Sequence, residues 1–131
     1  MSLARPEFFL DRGLGRRVAE GLTELGWIIH RVAEHFPDDA QHVEDEVWLA
    51  FGLERGWSPL CKDGRIKGRH VERAPLETYS GVLFYLDNQR LRVTEMVRRF
   101  HRSQDAIYRA VERRGPRAYA VRASGIRATW P

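Results

Sequence analysis

Short apolar runs alternate with helix-patterned stretches along most of this chain, and that alternation restricts the folds open to it. Phe8-Phe9-Leu10 reads as a short buried strand. Gly13 and Gly15 allow a tight turn, after which Leu14, Val18, Leu22 and Leu25 repeat at helical spacing up to Gly26, a good helix stop. Trp27 to Val32 is the second strand candidate. A polar stretch with Pro37 follows, and then a helix from about Glu44 to Arg55, with Val47, Ala50 and Phe51 expected on its inner face and Gly56 at its end. Trp57 to Lys62 is a third strand and Asp63 to Gly68 a charged, glycine-rich loop. Residues 69–78 carry no clear pattern, and Pro75 argues against a long helix through them. Ser80 to Leu86 is a fourth strand. Val93, Met96, Val97 and Phe100 form a helical stripe, which Ile107, Ala110 and Val111 continue or begin anew with Ser103 as N-cap. Gly115-Pro116 stops that stretch, and Tyr119 to Arg122 alternates like a last strand. Such an order predicts an α/β domain, a mainly parallel central sheet flanked by helices.

A chain of 131 residues suits one domain with one core, and there is no internal repeat or linker to divide it. No apolar run approaches the roughly 20 residues that span a bilayer, and the first residues lack the pattern of a secretory signal. A cytoplasmic protein with no membrane partner is therefore expected. Cys61 is the only cysteine, so no intrachain disulfide can form, and a small buried strand residue is its expected role.

The charge is unevenly placed. From Asn88 onward there are eleven arginines against Glu95, Asp105 and Glu112, a net of +8, whereas the first 87 residues carry −4. A basic part of this kind attracts a polyanion such as nucleic acid; the plainer readings are a solvated basic face or a face that meets an acidic protein partner.

Within the acidic part three aspartates stand at predicted element ends. Asp11 follows the first strand, Asp45 opens the second helix and Asp63 follows the third strand. Open α/β sheets gather ligands at the carboxyl ends of their strands. Carboxylates meeting there suit a hard divalent cation, Mg2+ or Mn2+. Each has a plainer reading too. Asp11 can begin the turn into the first helix. Asp45, with Glu44 and Glu46, can be a negative first turn favoured by the helix dipole. Asp63 before Gly64 is an ordinary turn residue. Lys62, Arg65 and Lys67 flank Asp63 and read either as phosphate contacts or as solvated loop charge. Arg16 and Arg17 adjoin Asp11 in the same way. The five histidines lack zinc spacing, and a structural or surface role is expected for each. Trp27, Trp48 and Trp57 are expected to pack in the core or at its edge, with base stacking on Trp48 the lesser alternative.

Three segments together resemble PIN-like domains, most closely the VapC-type toxins of bacterial toxin–antitoxin pairs. They are Phe8 to Arg17; His35-Phe36-Pro37 leading to Asp45-Glu46-Val47-Trp48; and Gly56 to Asp63 with Arg65-Ile66 and Glu72-Arg73-Ala74. The resemblance covers residues 8–90, and the arginine-rich part, about 88–131, matches in general character only. It implies a three-layer PIN-like fold and a metal-dependent endoribonuclease that hydrolyses RNA phosphodiester bonds. It further implies Asp11, Asp45 and Asp63 as metal-binding carboxylates, a cognate antitoxin protein and, as in many relatives, a homodimer. Two features depart from the common pattern. A fourth acid is usual, and here Glu72 and Asp87 compete for the role. An aspartate stands at position 45 where a glutamate is usual, one methylene shorter in reach. The alternatives are a non-catalytic basic module that binds nucleic acid or a protein partner, and a nuclease outside any toxin–antitoxin system.

Overall fold

Three of the strand–helix junctions close with the same local chemistry. The computed structural model describes residues 5–38, 42–62 and 70–131, apart from the side chains of 70–72. Strand β1 (Glu7–Leu10) leads through a 3-10 turn, Arg12–Leu14, to helix α1 (Gly15–Glu24). After α1, Gly26 adopts φ +94 and donates its N–H to the Thr23 carbonyl, while the Trp27 N–H reaches back to Leu22. Helix α2 (Asp45–Glu54) ends identically: Gly56 at φ +81 bonds to Leu53, and Trp57 to Gly52. Both are Schellman motifs, in which a residue past the helix end takes a left-handed conformation that glycine enters without strain. Both stops agree with the sequence reading. Helix α3 (His70–Tyr79) makes the same bond pair, Ser80 to Glu77 and Gly81 to Leu76, but there Ser80 carries the positive φ, +52.

Strands β2 (Ile28–Arg31), β3 (Ser58–Cys61), β4 (Val82–Leu86), β5 (Arg117–Arg122) and β6 (Gly125–Trp130) join β1 in one sheet of order β2-β1-β3-β4-β5-β6. The first five are parallel and β6 pairs antiparallel with β5. Helices α4 (Val93–Arg102) and α5 (Gln104–Arg113) precede β5. The predicted α/β class with a mainly parallel sheet is what forms.

Alternation of side chains along each strand divides the core into two layers. Phe8, Leu10, Phe84 and Leu86 face α1, α4 and α5, where they meet Val18, Leu22, Met96, Phe100 and Ile107. Phe9, Leu83 and Tyr85 face the other way, toward Trp48, Leu49, Leu53 and Leu76 of α2 and α3. Trp27 and Trp48 are buried, and Trp57 packs against the second layer, as expected. Cys61 is fully buried in β3.

Four expectations need correction. Residues 70–79 form a helix although Pro75 lies inside it. Proline costs such a helix about 3 kcal/mol, but Pro75 and Leu76 are buried and α3 packs along α2, so burial outweighs the lost backbone bond. The inner face of α2 is Trp48, Leu49, Gly52 and Leu53, while Val47 is 49% exposed. Ser103 does precede α5, yet its hydroxyl makes no cap; its backbone carbonyl accepts from Ile107 instead. Finally, β5 is not the last strand. The chain turns at Ala123-Ser124 into β6, and Trp130 packs on the α2–α3 layer.

Candidate active site

Parallel strands send their carboxyl ends to one edge, and β2 and β3, which follow β1 in the chain, lie on opposite sides of it. The order β2-β1-β3 therefore puts a topological switch point beside the end of β1, where open α/β sheets form a crevice. Asp11 is the residue at that place. Its N–H donates to the Leu60 carbonyl at 3.0 Å, which carries the β1–β3 ladder one step past the strand. Its carboxylate folds back toward the 3-10 turn, where a methyl group on Gly13 would stand 3.3 Å from Asp11 Oδ2.

Asp45 reaches the same edge by a different route. Phe9, two residues before Asp11 and so on the same face of β1, anchors α2 to the sheet. Its ring lies 6.0 Å from Trp48 and 5.8 Å from Phe51, centroid to centroid, and α2 passes over it at Gly52. From Gly52 back to Asp45 the helix rises roughly 10 Å. From Phe9 to Asp11 the strand rises roughly 7 Å. Asp11 and the start of α2 therefore both lie beyond the aromatic layer, at the carboxyl edge of the sheet. Asp45 does open the helix, and its Oδ1 accepts the Trp48 indole N–H at 2.9 Å. That bond fixes one carboxylate oxygen from a side chain that is itself buried, and leaves the other oxygen for a ligand. Trp48, at 2% exposure, is closed to base stacking; its role is to hold Asp45.

Asp63, Arg65 and Lys67 lie outside the described residues, as does the side chain of Glu72. Lys62 is half-buried just past β3, next to β1 at the same edge. Among the described residues no three His, Cys, Asp or Glu side chains converge. Asp11 and Asp45, two of the three residues expected as ligands, lie at this carboxyl edge. Their chemistry fits a hard divalent cation, since both offer carboxylate oxygens. His30 on β2 is engaged: its Nε2 lies 2.8 Å from Glu7 Oε1 and its ring stacks on Trp57 at 3.7 Å. That placement bears out its expected structural role.

A hollow of about 150 Å³ opens at the ends of β1 and β2, lined by Asp11, Arg12, Arg16, Arg31 and Val32. Arg16, which the sequence placed beside Asp11, is there and also pairs with Glu20 at 2.8 Å. Arg31 was missed. Its position as the last residue of a strand neighbouring β1 was the signal that could have found it.

Asp87, one candidate for a fourth acid, stands at the end of β4 but is already partnered. Its Oδ2 accepts Arg122 Nε at 2.9 Å, and its Oδ1 lies 3.9 Å from Arg99 Nη1. No helix among the described residues is long and apolar enough to cross a membrane.

Comparison with known proteins adds to this geometry. No solved structure matches the chain. A curated protein of Mycobacterium tuberculosis (strain ATCC 25618 / H37Rv), "Putative ribonuclease VapC45", is 32% identical over 120 residues, which are 90% of this chain and 87% of that protein. A family model described as PIN like domain matches residues 6–88, the span that carries β1, Asp11, Asp45 and β3. By the extent of both matches, this chain belongs to the PIN-like domain family.

Proposed function

We propose that the chain is an endoribonuclease of the VapC type, the toxin of a toxin–antitoxin pair. The observation that carries the reading is the match along nine-tenths of the chain to a relative named as a ribonuclease. Asp11 at the switch point, with Asp45 at the same edge, supports it. Residues 1–131 act as one nuclease domain in this reading. RNA is the substrate, an antitoxin protein is the partner, and a homodimer in the cytoplasm is the working form.

Asp11 and Asp45, with Asp63, hold a divalent cation, Mg2+ or Mn2+. When bound, that cation supplies a more acidic water and neutralises charge on the phosphate. The residues around it set the geometry. Trp48 keeps Asp45 oriented, and the ladder bond from Asp11 N–H to Leu60 keeps Asp11 at the end of the sheet. Lys62, with Arg65 and Lys67, contacts the RNA backbone beside the acids. Hydrolysis joins the water oxygen to phosphorus and breaks the bond to the 3′ oxygen. One product then ends in a 3′ hydroxyl and the other carries a 5′ phosphate.

The test is incubation of total RNA with the purified chain, with Mg2+ and with a chelator, for wild type, Asp11→Asn and Asp45→Asn. Cleavage should require the metal and be lost in both variants, with circular dichroism melts unchanged within a few degrees. Wild-type cleavage by both variants would sink the site. RNA binding that ignores the chelator, with no cutting, would favour a non-catalytic nucleic-acid module.

A further inference from the structure

Asp87 and Arg122 are consecutive in register at the carboxyl ends of β4 and β5, one step past the Leu86–Val121 pair. Walking the register from Leu10 to Leu60, Phe84 and Tyr119 puts Asp11 level with Ala120. Three interstrand spacings and two residues of rise then separate Asp11 from Arg122 by roughly 15 Å along the edge.

The Asp87 carboxylate is poorly suited to a cation. One oxygen accepts Arg122 Nε at 2.9 Å and the other faces Arg99, which in turn bonds Glu95 at 3.2 Å. Arg98 also bonds Glu95, at 3.0 Å. Three guanidiniums thus meet two carboxylates, and the cluster stays positive. Arg122 spends only Nε on Asp87, and its side chain is 44% exposed. A guanidinium held by one donor has a fixed plane and four further N–H groups, the fork that matches a phosphate. Arg90 and Arg92, in the loop leaving β4 at this edge, are exposed and have no ion-pair partner among the described residues.

We propose that Arg122 binds a backbone phosphate of the RNA at the β4–β5 end of the carboxyl edge, and that Asp87 is the positioning residue for Arg122 rather than a fourth metal ligand. The inference rests on the ribonuclease reading, and it deepens that reading by laying the strand from the acids across β3 to β5. Arg122 is then a binding residue remote from the reacting phosphate, so its removal should weaken capture and leave the chemical step alone.

The experiment measures kcat and KM for RNA cleavage, and Kd for a fluorescein-labelled single-stranded RNA by anisotropy in chelator, across a salt series. Wild type is compared with Arg122→Gln, Arg122→Lys and Asp87→Asn. Arg122→Gln should raise KM and Kd about tenfold at unchanged kcat, the effect of one charge-assisted contact. It should also lower the slope of log Kd against log salt by about 0.7, one phosphate on a single strand. Arg122→Lys, which keeps the charge and packs alike, should keep that slope. Asp87→Asn should raise KM while the Mg2+ concentration for half-maximal rate stays at the wild-type value. Wild-type Kd and slope in Arg122→Gln overturn the phosphate contact. A collapse of kcat with a raised Mg2+ requirement in Asp87→Asn makes Asp87 a metal ligand and overturns its positioning role. If wild type binds RNA with a salt slope but cuts nothing, the nuclease reading fails while Arg122 is still judged by the binding data. Wild type that binds no RNA overturns both.

Discussion

Gly52→Ala tests whether the aromatic contact under α2 sets the position of Asp45. A methyl group built at Gly52 would stand 2.4 Å from Phe9 Cδ2, 3.0 Å from Cγ and 3.2 Å from Cβ. Carbon atoms rest about 3.5–4.0 Å apart, so the helix and the ring must separate by about 1 Å. Phe9 has little room to give way, because Trp48, Phe51 and Trp57 surround it at 6.0, 5.8 and 5.3 Å between centroids. The helix therefore moves. Overpacking costs about 1–3 kcal/mol, and replacing glycine inside a helix returns about 1 kcal/mol. The net loss of stability is about 0–2 kcal/mol, readable in a urea melt. A displacement of about 1 Å at a group that holds the reacting centre can cost about a hundredfold in rate. The expected variant is folded, modestly destabilised, and slower in RNA cleavage by ten- to a hundredfold in kcat, again on the order expected for misplacement. Adding Phe9→Leu exchanges the rigid ring for a smaller side chain whose Cδ carbons can turn away from the new methyl, and should recover part of the lost rate, a coupling that distant sites do not show. Gly52→Ala with wild-type rate and wild-type stability would refute the reasoning, because the contact would then set nothing.

Two further outcomes follow from local geometry. Trp48→Phe removes the indole N–H that holds Asp45 Oδ1 at 2.9 Å. Partners of this kind typically carry 10–100-fold in metal affinity, so a Mg2+ titration of the cleavage rate should shift by about that factor, and an unshifted titration would show the bond to be incidental. Ser80→Gly relieves a non-glycine residue at φ +52 behind α3. The left-handed strain is about 1–2 kcal/mol, and the greater freedom of glycine in the unfolded chain offsets about 0.5–1 kcal/mol of it. A net gain of about 0.5–1 kcal/mol in chemical denaturation is expected, and a loss would contradict the strain.

The placement of two candidate residues, Asp11 and Asp45, was legible before any coordinates. Asp11 could be placed because Phe8-Phe9-Leu10, short and wholly apolar, reads as a buried strand, which puts the acid behind it at a strand end. Asp45 could be read because acids favour a helix start. Asp87 could not: its partners Arg99 and Arg122 are 12 and 35 residues away, on α4 and β5, and only the sheet register joins them. Arg31, by contrast, could have been found, since it ends the strand that follows the first helix.

By itself the sequence determined what depends on a residue and its neighbours within about a turn. The helix ends at Gly26 and Gly56, the apolar runs of the strands, the helical stripe from Val93 to Phe100 and the separation of acidic from basic charge all belong there. Tertiary structure decided what depends on summed contacts between distant segments. A helix persists through Pro75 because α2 and the sheet bury that face of α3. Gly52, rather than a larger residue, sits on the inner face of α2 because Phe9 already fills that space. The arginines divide between the two edges of the sheet, Arg122 at the carboxyl end of β5 and Arg117 at its amino end, because a strand of six residues carries its ends to opposite sides of the molecule. Local rules act on a few dihedrals and bonds at a time. Burial and register act over the whole sheet, and where the two conflict the larger sum prevails.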